Sequence, residues 1–169
     1  CGQGDLHSYN EFRKAYKLPW RESELEELKT QLYNQLVVLK KLRIYHRDIK
    51  PSNIIVSEDG RYKLTDFGCS ELIEENEEVI ESELLVDPCG TRGYWAPEIE
   101  EAYHNKQQIK CDLWKADIYS LGKTLESIVK WLPNECSSFH IHATIRIMLD
   151  ERRLIHFKEE FKRYHYNNL

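Results

Sequence analysis

The sequence predicts a mainly α-helical fold that carries one small β-hairpin. Three observations lead there. Leu25, Leu28, Leu32, Leu36 and Leu39 recur at steps of three and four, which places them on one face of a helix. Ile118, Leu121, Leu125, Ile128 and Val129 repeat that pattern later in the chain. Between them, Ile54-Ile55-Val56 and Tyr62-Lys63-Leu64 stand either side of Glu58-Asp59-Gly60, two short apolar runs about an Asp-Gly turn. The 169 residues suit one domain and can bury a core. With 41% hydrophobic and 31% charged residues, the composition is globular rather than disordered.

In chain order, Asp5 is placed to cap a short helix carrying Leu6, Tyr9, Phe12 and Tyr16, which Pro19 ends. Ser23 with Glu26 forms a capping box before the Leu-striped helix, which runs to about Leu42. The hairpin follows. A long irregular stretch then spans about 66 to 98, and a segment of that length inside a compact domain is usually functional or disordered. It includes seven Glu between positions 71 and 83, read as a solvated loop. The second strong helix covers Lys115 to Trp131 and closes at Pro133. Further helices are expected over 141 to 150 and 157 to 165.

The formal charge of −5, from 24 basic and 29 acidic side chains, disfavours a broad nucleic-acid surface. No apolar run reaches the roughly 18 to 20 residues that a membrane span needs. Cys1, Cys69, Cys89, Cys111 and Cys136 are odd in number and widely spaced, with no CxxC pair. A zinc site or disulfide framework is therefore not expected, and a reducing, intracellular and cytoplasmic setting is. The chain begins with Cys rather than Met, so a fragment is expected.

The polar residues suited to chemistry sit in two loops flanking the hairpin: His46-Arg47-Asp48-Ile49-Lys50-Pro51-Ser52-Asn53 and Asp66-Phe67-Gly68. Brought together, they present Asp48, Lys50, Asn53 and Asp66 at one edge. Two carboxylates, an amide oxygen and an ammonium suit Mg²⁺ and phosphate, because Mg²⁺ takes hard oxygen ligands and keeps waters and substrate phosphates. A spare carboxylate can accept a proton from an attacking hydroxyl.

HRDIKPSN, then DFG thirteen residues after that Asn, then GTRGYWAPE from Gly90 to Glu98, resembles a eukaryotic protein kinase. Asp117-Ile118-Tyr119-Ser120-Leu121-Gly122 is similar to the start of that family's long central helix. The resemblance covers nearly the whole chain. It implies the mostly helical C-terminal lobe of a kinase, a partial domain over 1 to 169, with a catalytic loop at 46 to 53 and an activation segment at 66 to 98. It implies ATP and Mg²⁺ as cofactors and a protein as substrate. By the same resemblance Asp48 is the catalytic base, Lys50 neutralises the transferring phosphate and marks the serine/threonine branch, and Asn53 and Asp66 bind Mg²⁺. Thr91 positions the substrate hydroxyl, and Glu98 pairs with an arginine near the C-terminus, with Arg153 the candidate and Arg152 next. His46, Phe67 and Asp117 tie the two loops to the central helix.

Three departures from the family pattern accompany it. No GxGxxG occurs and no strand lysine is matched, so the N-terminal lobe is absent from this sequence and the isolated chain is expected to be inactive. The C-terminal end is abbreviated. Asp87 stands where many kinases carry a phosphorylatable residue, and its carboxylate is expected to pair with Arg47, while Glu71 is expected to add repulsion nearby. The rival reading is a pseudokinase or scaffold module derived from this lobe. The missing small lobe favours it, and the intact catalytic-loop and metal positions disfavour it.

Overall fold

A computed structural model describes residues 4–73, 84–129 and 139–150. Among these residues there are five α-helices and three two-stranded antiparallel sheets. The first helix, α1 (Leu6–Ala15), starts where Asp5 Oδ1 accepts the amide of Ser8 at 2.7 Å. The second, α2 (Glu22–Lys41), buries Leu25, Leu28, Leu32 and Leu36, the stripe expected from the spacing, and Leu39 packs at its margin. Its start differs from expectation. The cap is Arg21, and Glu24 rather than Glu26 reaches back, accepting the Arg21 amide at 2.6 Å. Glu24 also receives both terminal nitrogens of Arg13 at 2.9 Å, and the Arg13 guanidinium lies 4.3 Å from the centre of the Trp20 ring. That second partner for Glu24 favours this register over the one starting at Ser23.

Strand β1 (Ile44–Tyr45) follows α2, then a single 3-10 turn over Pro51–Asn53. The hairpin is β2 (Ile54–Val56) with β3 (Tyr62–Leu64), in the register Ile54↔Leu64 and Val56↔Tyr62. Its outer edge is clamped by α2 through two glutamines one turn apart. Gln31 accepts the Tyr62 amide at 2.9 Å. Gln35 accepts the Leu64 amide at 3.0 Å and donates to the Tyr62 carbonyl at 2.7 Å. An edge strand's backbone groups are thereby paired with side chains instead of another strand.

Most of the Glu-rich run, 74 to 83, lies outside the described residues, and the described parts of the stretch after the hairpin carry short strands. These are β4 (Glu71–Leu72), which pairs with β1, and β5 (Leu84–Val86). Helix α3 (Pro97–Asn105) is followed by β6 (Ile109–Cys111), which pairs with β5. A disulfide joins Cys69 to Cys89 across this segment, with Cα atoms 5.9 Å apart. The expectation of unpaired cysteines is corrected for this pair. The partners are 20 residues apart in sequence and meet only because the chain folds back, which spacing alone does not reveal.

The central helix α4 (Leu113–Val129) is buried along nearly its whole length, including Ile118, Leu121, Leu125, Ile128 and Val129. It packs against α2 and against α5 (Phe139–Leu149). Gly122 makes the second contact close: a Cβ there would lie 2.9 Å from Met148 Cβ. The expected helix over 157 to 165 lies outside the described residues, as does Pro133. No helix among the described residues is long and apolar enough to cross a membrane.

Candidate active site

Helix α4 organises the site through polar side chains placed at steps of three and four on an otherwise buried helix. Asp117 accepts the backbone amide of His46 on Oδ2 and that of Arg47 on Oδ1, both at 2.8 Å. Ser120 donates to the carbonyl of Tyr94 at 2.8 Å, and Thr124 to that of Ile49 at 3.3 Å. One helix face thus grips both the 46–53 loop and the segment following Thr91. Ser120 and Thr124 were not singled out from sequence. The available signal was hydroxyl residues lying among the apolar positions of a strongly buried helix, since buried polar groups need partners.

Arg47, at φ 65°, is in the left-handed region. A residue so held costs on the order of 1–3 kcal/mol and persists where its surroundings enforce it. Here the Asp117 carboxylate fixes the two amides that lead into the bend. Asp66, at φ 62°, is a second such position, and its Oδ1 accepts the amide of Gly68 at 3.3 Å. His46 is fully buried, its Nε2 lies 3.1 Å from the Thr65 carbonyl, and its ring centre lies 4.9 Å from that of Phe67. Burial pushes the His46 imidazole below its ordinary pKa. The ring is therefore neutral at neutral pH and packs as a spacer between the two loops.

Asp48 is 9% exposed. Its Oδ2 accepts Lys50 Nζ at 2.8 Å and Asn53 Nδ2 at 2.9 Å. Its Oδ1 is buried with no hydrogen-bond partner. Lys50 Nζ also donates to the Thr91 hydroxyl at 2.6 Å, which links the 46–53 loop to the segment after residue 90. Burial raises the Asp48 pKa, but Lys50, the Thr91 hydroxyl and the Asn53 amide together outweigh it and hold the carboxyl below its ordinary value. Asp48 is thus ionised at neutral pH, with one oxygen held and one left for a donor.

Asn53 and Asp66 stand at the same open end of the hairpin. The Thr65 amide donates to the Asn53 carbonyl at 3.0 Å, continuing the ladder, and Asp66 is the next residue. The Asn53 amide nitrogen is committed to Asp48, both to its side chain and to its carbonyl at 2.9 Å, so that only its amide oxygen could serve a cation. Asp66 is exposed. One carboxylate and one amide oxygen fit a hard cation that keeps most of its own water.

The expected pairing of Arg47 with Asp87 takes a different form. Arg47 Nη2 donates to the backbone carbonyl of Asp87. The carboxylate that meets Arg47 belongs to Glu71, at 2.6 Å from Nη1. Glu71, expected only as a repulsive neighbour of that site, is instead the carboxylate partner of Arg47. The β1–β4 pairing Tyr45↔Glu71 carries Glu71 to Arg47, a contact invisible without the register. Glu98 lies in the first turn of α3, while its candidate partners Arg152 and Arg153 lie outside the described residues.

Gly90, at φ 109°, has a conformation and a proximity that exclude a side chain. A Cβ there would overlap the Arg47 carbonyl oxygen and lie 3.0 Å from Trp95 Nε1. Gly90→Ala is expected to destabilise the protein by at least about 2 kcal/mol, combining a left-handed backbone with overpacking. Chemical denaturation checks this, and a change below about 0.5 kcal/mol, typical of an ordinary surface site, would contradict it.

A model of the protein kinase domain matches residues 1–164. The chain is 34% identical over 135 residues to the dual specificity protein kinase zak2 of Dictyostelium discoideum, covering 77% of the chain and 20% of that protein. It is 34% identical over 141 residues to an Aurora kinase of Schizosaccharomyces pombe, covering 83% and 35%. It is 36% identical over 104 residues to the serine/threonine-protein kinase cds1 of the same yeast, covering 62% and 21%. The chain therefore belongs to the eukaryotic protein kinase family. It spans between about a fifth and a third of the length of these relatives.

Proposed function

We propose that this chain is the large, mostly helical lobe of a serine/threonine protein kinase, whose full-length form transfers the γ-phosphate of ATP to a protein hydroxyl. The observation that carries this is Asp48: one oxygen fixed by Lys50 and Asn53, the other buried and unpartnered. A buried acceptor without a donor is costly, and a substrate hydroxyl supplies the missing proton donor. The low pKa makes Asp48 a weak base. It orients the hydroxyl and takes its proton late, as the new bond to phosphorus forms. Lys50 stands between Asp48 and Thr91, where it counters charge on a transferring phosphoryl group, and Thr91 positions the incoming residue. Asn53 and Asp66 would hold Mg²⁺, which supplies charge neutralisation to the nucleotide phosphates.

An apolar pocket lined by Val38, Leu39, Leu64 and Phe67 gives further support. Val38 is 54% and Phe67 45% exposed, and this surface suits a small lobe resting beside the Asp66 loop. The names of the relatives, both serine/threonine and dual specificity kinases, agree with hydroxyl phosphorylation. The test is phosphotransfer from ATP by the full-length protein to a generic basic protein in the presence of Mg²⁺. No transfer above the level of a catalytic-loop variant would overturn the reading and favour a scaffold.

In this reading Glu71 takes the part that a phosphate on the segment plays in many relatives: it supplies the anion that Arg47 requires. A pair with one partner partly exposed contributes about 0.5–1 kcal/mol. Acting on the assembled arrangement, that corresponds to about a two- to fivefold loss of rate in Glu71→Ala. Asp87→Ala keeps its backbone carbonyl and is expected to leave the rate unchanged. Both rates are measured on phosphatase-treated full-length protein. The reverse ranking would return the role to the Asp87 carboxylate.

A further inference from the structure

We propose that Cys69 and Cys89 form a reversible thiol–disulfide modification site that fixes the two ends of the activation segment to each other. The bond joins the residue directly after Asp66-Phe67-Gly68 to the residue directly before Gly90-Thr91. Closing it couples the two places where this segment touches the candidate site. On one side, Glu71 pairs with Arg47, and the Ile73 amide bonds the Arg43 carbonyl at 3.0 Å. On the other, the Thr91 hydroxyl receives Lys50. What this coupling does to catalysis rests on the kinase reading; the modification itself does not.

The two sulfurs have the access that the chemistry needs. Both cysteines are half-buried, so a small oxidant reaches them. The other described thiol, Cys111, is buried, and burial pushes its pKa up to about 11. The thiolate is the reactive form, so Cys111 is a poor competitor. The natural co-reactant class is a hydroperoxide. One thiolate attacks the peroxide oxygen, forming S–O and breaking O–O, and with a proton from solvent this releases one water from hydrogen peroxide and leaves a sulfenic acid. The second thiolate attacks that sulfur, forming S–S and breaking S–O. The departing hydroxide takes up from solvent the proton that the second thiol released on ionising, and leaves as water. Two thiols are oxidised by two electrons and one peroxide is reduced to two waters. A dithiol reverses the change by thiol–disulfide exchange.

The segment is also built to respond to the bond. Its β4 pairing has only two residues, and β5 has three. Short ladders open locally at low cost, so tying their ends has a large effect on how often they open. A cross-link over 20 residues removes many of the open conformations.

The experiment uses the full-length protein, reduced with dithiothreitol and then treated with equimolar hydrogen peroxide. Peptide mass analysis without reductant should show a peptide pair joining Cys69 to Cys89, with the mass of two hydrogens lost, and dithiothreitol should restore both thiols. Amide hydrogen exchange at Ser70, Ile73 and Tyr94 should be at least about tenfold slower in the oxidised form. Cys69→Ser and Cys89→Ser should each abolish the linkage and the slowing while keeping the far-ultraviolet circular dichroism. Linkage of either cysteine elsewhere, no linkage, or linkage without slower exchange would each overturn the proposal. Phosphotransfer is measured on the same samples. Its absence in every form would sink the kinase reading and leave the mass and exchange results to decide this one.

Discussion

Asp48→Asn in the full-length protein is expected to lower the kcat for phosphotransfer by about 10² to 10⁴, the usual range for removing a positioned general base. The KM for ATP should change little, because the substitution alters the group facing the hydroxyl rather than the pair, Asn53 and Asp66, assigned to the cation. The amide oxygen of the replacement can still accept from Lys50 and Asn53, as Oδ2 does at 2.8 and 2.9 Å. Its NH₂ then takes the place of Oδ1, the buried oxygen that has no donor. An acceptor for the substrate proton becomes a donor, so the hydroxyl is both misoriented and left without a base. Fold should be retained, and the melting temperature checks that. A fall in kcat and kcat/KM together identifies an interaction made only in the transition state. Near wild-type turnover with an intact fold would remove Asp48 from the role proposed for it.

How much of this was legible beforehand depends on how local each signal is. The leucines of α2 and the apolar positions of α4 announced themselves because helical burial repeats every three to four residues. The hairpin was equally plain, its turn residues lying between its two apolar runs. The site loops were found as residue types at fixed spacing, and the chain's place in the kinase family followed. What spacing did not reveal were contacts made by folding back. The β1–β4 pairing joins Tyr45 to Glu71 through two residues on each side, too short to carry an alternating pattern. Without that register Glu71 reads as one more acid in a Glu-rich loop, with nothing to tie it to Arg47. With it, Glu71 is the partner of Arg47. The same blindness hid the Cys69–Cys89 bond. The α2 start was a contest between two plausible caps, and Arg13 decided it from α1 by binding Glu24 at 2.9 Å.

The second large effect is expected at Asp117. Asp117→Asn should destabilise the protein by about 2–4 kcal/mol, because a buried backbone amide loses an acceptor and faces a donor in its place. Oδ1 and Oδ2 each accept one amide, from Arg47 and His46, at 2.8 Å. An amide side chain has one oxygen and one NH₂, so only one of the two contacts survives in either rotamer. The left-handed turn at Arg47 then loses part of what enforces it, and Asp48, the next residue, loses its place. Activity should therefore fall with stability, unlike the Asp48 substitution. The effect should also depend on pH. Burial raises the Asp117 pKa to about 6, and the two amides and the Arg47 charge only partly offset it. A carboxyl whose folded pKa lies above its unfolded value near 3.8 contributes most stability below that value. That contribution declines as pH rises through about 6, where the folded carboxyl ionises. The wild-type advantage over Asp117→Asn should thus be larger at pH 5 than at pH 7.5 in urea denaturation. An advantage that grows with pH across this range would show instead that the two amides overcome burial and that Asp117 is ionised throughout.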